Sequence, residues 1–368
     1  MILSELDPGT RSILEGHGFD VVQFELLRAA LRQGTLTPGR NVVAGTVAPV
    51  IPSDLTTLPA PGQPGYEEAI AAGLEALREG SIAIVVLAGG MATRFGGGVK
   101  AVAEAIDGKS FLEVKLEETA RLGTALGVEI PVALMTSFAT DAVVRAHVAE
   151  KRLAEPLWFC QTAAPRLRPD GDVFVEEDGR ASLYGPGHGD VLSTIRSSGT
   201  LAELQRRGVR TIVVSNVDNL GARLDPVVVG MHVLAGTPLT VEVVAKGSDT
   251  GGAPARVDGH PQLLEAFRFP PEFDQARIPV FNTNTSLIEV DALADPVDLT
   301  WLVVEKTVDD RIAVQFERLY HELSAHVPTT FLVVPRHGQR GRFLPVKEPG
   351  DLADVQPLLR EMLAAPLA

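Results

Sequence analysis

The sequence predicts an α/β protein with a mainly parallel sheet and helices on both faces, and three observations carry the prediction. From about Tyr66 onward, short apolar runs of strand character alternate with segments of helical period. The first of these runs feeds straight into a glycine-rich turn. A later one, TIVV, ends in SNVDN, where amides cluster with a carboxylate. In such sheets ligands bind beyond the carboxyl ends of the strands, so both spots are places to look for binding groups.

Taken in order, residues 9–34 place apolar side chains at helical spacing and read as one or two amphipathic helices. Residues 38–64 are rich in Pro, Gly and Thr, lack either period, and read as a connector wrapped on the surface. The strand IAIVVLA follows, then a helix that begins at Ser110, where Glu113 completes a capping box ahead of FLEVKLEETARL. Next come the strand PVALMTS, a helix over residues 141–153, the strand LWFCQ, a helix over 190–207 and the strand TIVVSNVD. Beyond Pro238 the alternation loosens: TVEVVAK, SLIEV and TFLVV have strand character, and a helix is expected over 310–326.

Composition limits what this fold can do. The chain has 368 residues, 45% of them hydrophobic, enough for a substantial core. Its formal charge of −14 repels nucleic acid and anionic lipid over most of the surface, so neither is expected as a partner. Anionic substrates must be met by local positive charge. The single cysteine, Cys160, cannot form an internal disulfide and reads as a buried, inert thiol within LWFCQ. The N-terminus lacks a basic segment followed by an apolar stretch, and no apolar run approaches ~18 residues. A cytoplasmic location is the expectation.

The turn AGGMATRFGGGVK has the build of a triphosphate cradle. Glycines let backbone N–H groups approach phosphate oxygens, and Arg94 and Lys100 bring mobile positive charge. Neither a dinucleotide fingerprint nor a Walker A fits: the glycines come as a pair and a triplet, and Ala103 stands where a glycine would be needed before Gly108–Lys109–Ser110. Asp218, at the end of a strand, is a candidate Mg²⁺ ligand, since that ion takes one or two carboxylates and leaves its other positions to phosphates and water. YGPGHGD (184–190), FNTN (281–284) and FLPVK (343–347) place polar groups in loops or turns. His147, His232, His260, His321, His326 and His337 show no metal-ligand spacing and read as structural or surface groups.

LAGGMATRFGGGVK, PVALMTSFATD, GPGHGD, SNVDNLGA, GGAPARVDGHPQLLE, FNTN and RFLPVKEPGDL, in that order, resemble the UTP–glucose-1-phosphate uridylyltransferases. The likeness covers about residues 66–355. It implies a Rossmann-like fold of the sugar nucleotidyltransferase type and the conversion of UTP and glucose 1-phosphate to UDP-glucose and pyrophosphate, with Mg²⁺. On matching positions, it implies that Leu87, Ala88, Gly89, Gly90, Gln161 and Gly187 hold the nucleotide. Arg94, Lys100 and Lys347 would carry the phosphate charge and Asp218 the metal. His188, Asn216, Gly252, Glu265, Asn282 and Asn284 would meet the sugar phosphate. Residues 1–65 are then a helical N-terminal extension with its connector, 66–348 the catalytic domain, and 349–368 a short tail without the β-helix of eukaryotic relatives. Departures include Val99 where the cradle lysine usually follows a proline, and Thr285–Ser286 after FNTN. The resemblance leaves two alternatives, a relative acting on another sugar 1-phosphate such as N-acetylglucosamine 1-phosphate, and a non-catalytic UDP-sugar-binding module. Oligomeric state stays open.

Overall fold

In the computed structural model, residues 2–91, 97–247, 249–346 and 348–364 are described. Eight strands form one central sheet: β1 (Leu55–Thr57), β2 (Ile82–Leu87), β3 (Val132–Thr136), β4 (Leu157–Cys160), β5 (Thr211–Asn216), β6 (Leu239–Ala245), β7 (Val280–Glu289) and β8 (Thr329–Val333). Their spatial order is β1-β8-β6-β7-β5-β2-β3-β4, and every neighbouring pair is parallel except the two that β7 makes. The predicted α/β class and mainly parallel sheet are what the structure has.

Helices cover both faces. Besides α1 (Pro8–Gly16) and α2 (Val21–Arg32), they are α3 (Tyr66–Arg78), α4 (Phe111–Leu126), α5 (Asp141–Glu150), α6 (Asp190–Ser197), α7 (Thr200–Arg206), α8 (Pro226–Ala235) and α9 (Asp351–Ala364). All six residues of β2 are buried, as a central strand between two helical layers requires. Its side chains divide by parity: Ile82, Ile84 and Val86 join one apolar cluster, Ala83, Val85 and Leu87 the other. The Ser110–Glu113 capping box starts α4 as predicted, each side chain bonded to the other's backbone N–H.

Three local expectations are corrected. The helix expected over 310–326 is instead the second strand of a hairpin, Leu302–Val308 with Arg311–Glu317, followed by a 3-10 turn Tyr320–Ala325. Asp309 and Asp310 both take positive φ, which makes a tight hairpin turn and imposes strand pairing on RIAVQFE. The helix over 190–207 is broken at Gly199, which adopts φ 81°. The 38–64 segment does more than wrap the surface: β1 extends the central sheet, and Val47–Pro49 pairs with Ala253–Val257 in a second small sheet.

Candidate functional site

The carboxyl ends of β2, β3, β4 and β5 lie level, since Leu87 stands beside Asn216 and Met135, and Thr136 beside Cys160. Along this edge the described candidate residues fall into three groups. Arg94 and Lys347 lie outside the described residues.

Where the sequence leads to expect the nucleotide, β2 runs out through Leu87 into Ala88, Gly89 and Gly90. Met135 O accepts from the Ala88 amide at 2.8 Å, Ser137 Oγ donates to Gly89 O at 3.0 Å, and Thr140 Oγ1 donates to Ala88 O at 3.2 Å. A Cβ on Gly89 would stand 3.3 Å from Gln161 Oε1, so the bare glycine lets that amide lie against the turn. Gln161 Nε2 donates to Gly187 O at 2.6 Å. Gly187 has φ 78°, and a side chain there would meet Arg318 O at 2.5 Å. Leu87, Ala88, Gly89, Gly90, Gln161 and Gly187 therefore share one place. Behind it, the fully buried Asp190 accepts from the Thr162 amide at 2.6 Å and from Arg318 Nη2 at 2.6 Å, which ties the GPGHGD loop to the end of β4.

At the phosphate end, Lys100 donates to Val346 O, and its Nζ lies 3.6 Å from Asp218 Oδ2. The loop after β5 is docked on the FLPVK segment: Val346 donates its amide to Asp218 O at 3.3 Å, Leu344 donates to Asn219 Oδ1 at 2.9 Å, and Asn219 Nδ2 donates to Arg342 O at 3.2 Å. Buried Arg342 is itself held by two 2.6 Å hydrogen bonds to Glu242. The chain entering Lys347 thus passes directly beside Asp218 and Lys100. Burial pushes the Asp218 carboxyl above its ordinary pKa, against the pull of Lys100 and Lys115. Lys115, buried beneath the loop, has its pKa lowered to about 8 by burial and donates to Ser215 Oγ at 3.3 Å and Ala222 O at 3.2 Å, bracketing the segment that carries Asn216 and Asp218.

At the sugar end, β7 bulges. Val241 pairs with Ser286 but Val243 pairs with Asn282, so three residues of β7 oppose Glu242 alone, and Asn284 takes φ 58°. Asn282 Oδ1 accepts from the Asn284 amide at 3.1 Å and its Nδ2 donates to Asn284 Oδ1 at 2.9 Å. Gly252 O accepts from the Asn282 amide at 2.8 Å, and a Cβ on Gly252 would stand 2.9 Å from Glu265 Oε1. His188 accepts the Tyr320 amide on Nδ1 at 3.2 Å, and burial lowers its pKa to about 4, so the ring is neutral at neutral pH. The groups adjoin one another: His188 follows Gly187, Asn216 is level with Leu87, and the Phe343 ring meets that of Phe281, beside Asn282, at 5.5 Å.

The sequence does not single out two further residues of this edge. His321, which reads there as a structural or surface group, lies against Asn282 and brings a ligand atom within 4.8 Å of one on His188 and one on Glu265. Lys115 sits mid-helix among ordinary alternating charges. No local spacing marks either one, because only the packing of the Tyr320–Ala325 turn on its neighbouring loop and of α4 on β5 assembles them. His147 and His232 are structural as expected: His147 Nε2 meets Ser110 Oγ at 2.9 Å, and His232 bridges Thr240 and Glu289, each at 2.8 Å.

A family model described as UTP–glucose-1-phosphate uridylyltransferase matches residues 67–362. A probable UTP–glucose-1-phosphate uridylyltransferase of Schizosaccharomyces pombe is 30% identical over 81% of this chain and 63% of its own length. The Saccharomyces cerevisiae and Solanum tuberosum enzymes of that name are 30% and 29% identical, over 58% and 61% of their lengths. The chain thus spans about three fifths of these relatives. Among solved structures, a UDP-N-acetylglucosamine pyrophosphorylase from Trypanosoma brucei aligns with TM-score 0.75 at 19% identity, over 95% of this chain and 79% of that one. A mutant UDP-glucose pyrophosphorylase from Leishmania major aligns with TM-score 0.73 at 23% identity, with the same coverage. These two likenesses establish the shared fold.

Proposed function

Because the chain belongs to the UTP–glucose-1-phosphate uridylyltransferase family, we propose that it joins UTP and glucose 1-phosphate into UDP-glucose with release of pyrophosphate. The observation that carries this reading is the convergence of a glycine-lined nucleotide end, the Lys100–Asp218 pair and a polar sugar end along one edge of the sheet.

In this reading the uracil and ribose lie against residues 87–90, Gln161 and Gly187; a side chain at Gly187 would strike Arg318 O, and one at Gly89 would crowd Gln161. A sugar-phosphate oxygen approaches the α-phosphorus in line with the departing pyrophosphate. Repulsion between the two anions is the main obstacle. Lys100, held by Val346 O and Asp218, would meet the phosphates, and Arg94 and Lys347 would add positive charge. The nucleophile is already an anion, so no general base is called for, and neutral His188 positions the sugar phosphate without exchanging a proton.

Asp218 suits a divalent cation. It is a half-buried carboxylate just past a strand's end, with its charge only partly offset by Lys100 and Lys115, which matches the few protein ligands that Mg²⁺ takes beside substrate phosphates. When bound there, Mg²⁺ would neutralise charge on the phosphates. Asn216 and Asn284 would meet sugar or phosphate oxygens, with Asn282 orienting Asn284.

The test is pyrophosphate release with UTP against a panel of sugar 1-phosphates. Turnover confined to glucose 1-phosphate supports the reading; preference for N-acetylglucosamine 1-phosphate would transfer it to the sister activity, and binding of UDP-sugar without turnover would make the chain a binding module. Activity should vanish in excess chelator and return with Mg²⁺. Lys347→Ala should lower kcat far more than it weakens UTP binding, since its charge matches the transition state.

A further inference from the structure

At the sugar end a carboxylate and two imidazoles meet, and among the described residues no ion pair is made by any of them. Glu265 follows the strand His260–Leu264, His188 lies in the loop before α6, and His321 lies in the Tyr320–Ala325 turn. One nitrogen or oxygen of each lies within 4.8 Å of the others. Among the described residues no hydrogen bond reaches the Glu265 carboxylate, and Arg268, the cation that most stabilises it, is committed to Glu322 at 2.9 Å. Burial pushes the Glu265 carboxyl up and the His321 imidazole well down, His188 adding to the latter. His188 and Glu265 are only half-buried, so a ligand entering there would complete their desolvation and has to satisfy them.

Two kinds of ligand suit two imidazoles and a carboxylate: a transition-metal ion and a hydroxyl group. The hydrogen bonds decide between them. Tyr320's amide donates to His188 Nδ1 at 3.2 Å, so the neutral ring carries its proton on Nε2 and has no free lone pair for a metal. The same Nε2–H is a ready donor. Asn282 is equally constrained, its oxygen taken by the Asn284 amide and its Nδ2 facing the His321 nitrogens at 3.4 and 3.5 Å. A hydroxyl accepts and donates at once, and would accept a hydrogen bond from His188 Nε2–H while donating one to the Glu265 carboxylate. His321, 1% exposed, stands edge-on to His188 with ring centroids 5.3 Å apart and closes this volume from within.

We propose that His321 is a specificity-determining residue: with His188 and Glu265 it encloses one ring hydroxyl of the sugar 1-phosphate, and so selects against sugars that lack that hydroxyl or carry a bulky group in its place. This rests on the uridylyl-transfer reading. A site whose buried groups need a hydroxyl rejects an analogue without it far more strongly than an apolar pocket rejects a missing methylene, by about 10⁴-fold or more in favourable cases.

The experiment measures kcat/KM for glucose 1-phosphate and its monodeoxy analogues in the parent chain, in His321→Phe, which keeps a ring but removes its nitrogens, and in His321→Ala. In the parent, one deoxy position should cost about 10³-fold or more; His321→Phe, which keeps the enclosing ring, should retain most of that ratio, and in His321→Ala it should shrink to about tenfold while KM for UTP, the control for folding, stays within about twofold. A ratio unchanged by both variants would overturn the assignment of His321 and leave uridylyl transfer standing. If the parent turns over no sugar 1-phosphate, the transfer reading itself fails and this inference with it. Titration with Co²⁺, followed by its visible absorption, covers the other ligand: a one-to-one site lost in His321→Phe would give the cluster to a cation and refute the proposal.

Discussion

Cys160 lies half-buried at the end of β4, beside the nucleotide end of the cleft. Burial pushes its thiol from 9.0 up to about 11, against a weaker opposing effect of Thr136. Only the thiolate is nucleophilic, so a rise of this size leaves about 100-fold less reactive species at pH 8. Iodoacetamide should therefore modify the native chain about 100-fold more slowly than the urea-unfolded chain, as read by mass spectrometry. Comparable rates would place the thiol in a wetter, more reactive setting. His188 moves in the other direction: with its pKa lowered to about 4, its charge appears only as pH falls through that value. The pH profile of kcat between about 5.5 and 8 should keep any histidine step it has in His188→Asn, because no such step belongs to His188. At this scale the sequence disclosed the residues whose neighbours lie along the chain, such as the glycines of 89–90 and the Ser110–Glu113 cap. It concealed His321, whose partners sit 39, 56 and 133 positions away at Asn282, Glu265 and His188.

The strands of the parallel half were legible because each is a short apolar run with turn residues on both sides, whereas β7 was not. FNTN has the composition of a turn, yet it lies inside a ten-residue strand, where a bulge lets its two asparagines bond each other. RIAVQFE misleads for the converse reason, its alternation being short enough to pass as about two turns of helix. Helix α3 and helix α8 meet across two glycines: a Cβ on Gly73 would lie 1.8 Å from Pro226 O, and one on Gly230 would lie 1.7 Å from Ala69 O. Both obstacles are backbone atoms, so neither can step aside without moving a helix. Replacing Gly73 with Ala gains about 1 kcal/mol of helix propensity, but forced overpacking costs about 1–3 kcal/mol and more where backbone must shift. The clash wins. Gly73→Ala should lower the midpoint of thermal unfolding by several degrees, and Gly230→Ala should do the same without adding fully, since either one separates the same pair of helices. A rise in midpoint for either variant would mean that the helices are not in contact there.

Across the whole molecule, the segment before β2 is where sequence and structure part most. Residues 1–65 read as an extension because α1 and α2 are amphipathic and the connector has no period, yet their apolar partners are drawn from far along the chain. Ile2, Phe24 and Leu27 are buried with Leu167, Tyr184, Val314 and Phe316. Arg28 donates to Glu5 twice at 2.8 Å and to Gly171 O at 2.6 Å. Asn41 exchanges a pair of hydrogen bonds with the Val303 backbone, at 2.7 and 2.9 Å. These contacts fix the Leu302–Glu317 hairpin, whose end carries Arg318 and the backbone on which Gly187 and Gly189 rest. The N-terminal helices therefore support the Gly187 loop from behind. A chain begun at residue 46 would expose the cluster around Phe316 and lose both the Arg28 and Asn41 anchors, so it should aggregate or unfold at a markedly lower temperature than the parent. Because outright misfolding would hide any link to the site, Asn41→Ala provides the finer measure. It leaves the helices in place but strands the Val303 amide and carbonyl, each unmet buried group costing about 1–3 kcal/mol. Asn41→Ala should lower the unfolding midpoint and raise KM for UTP more than KM for the sugar phosphate, because Gly187 belongs to the nucleotide end. Equal effects on both constants would show that the N-terminal segment stabilises the fold without positioning that loop.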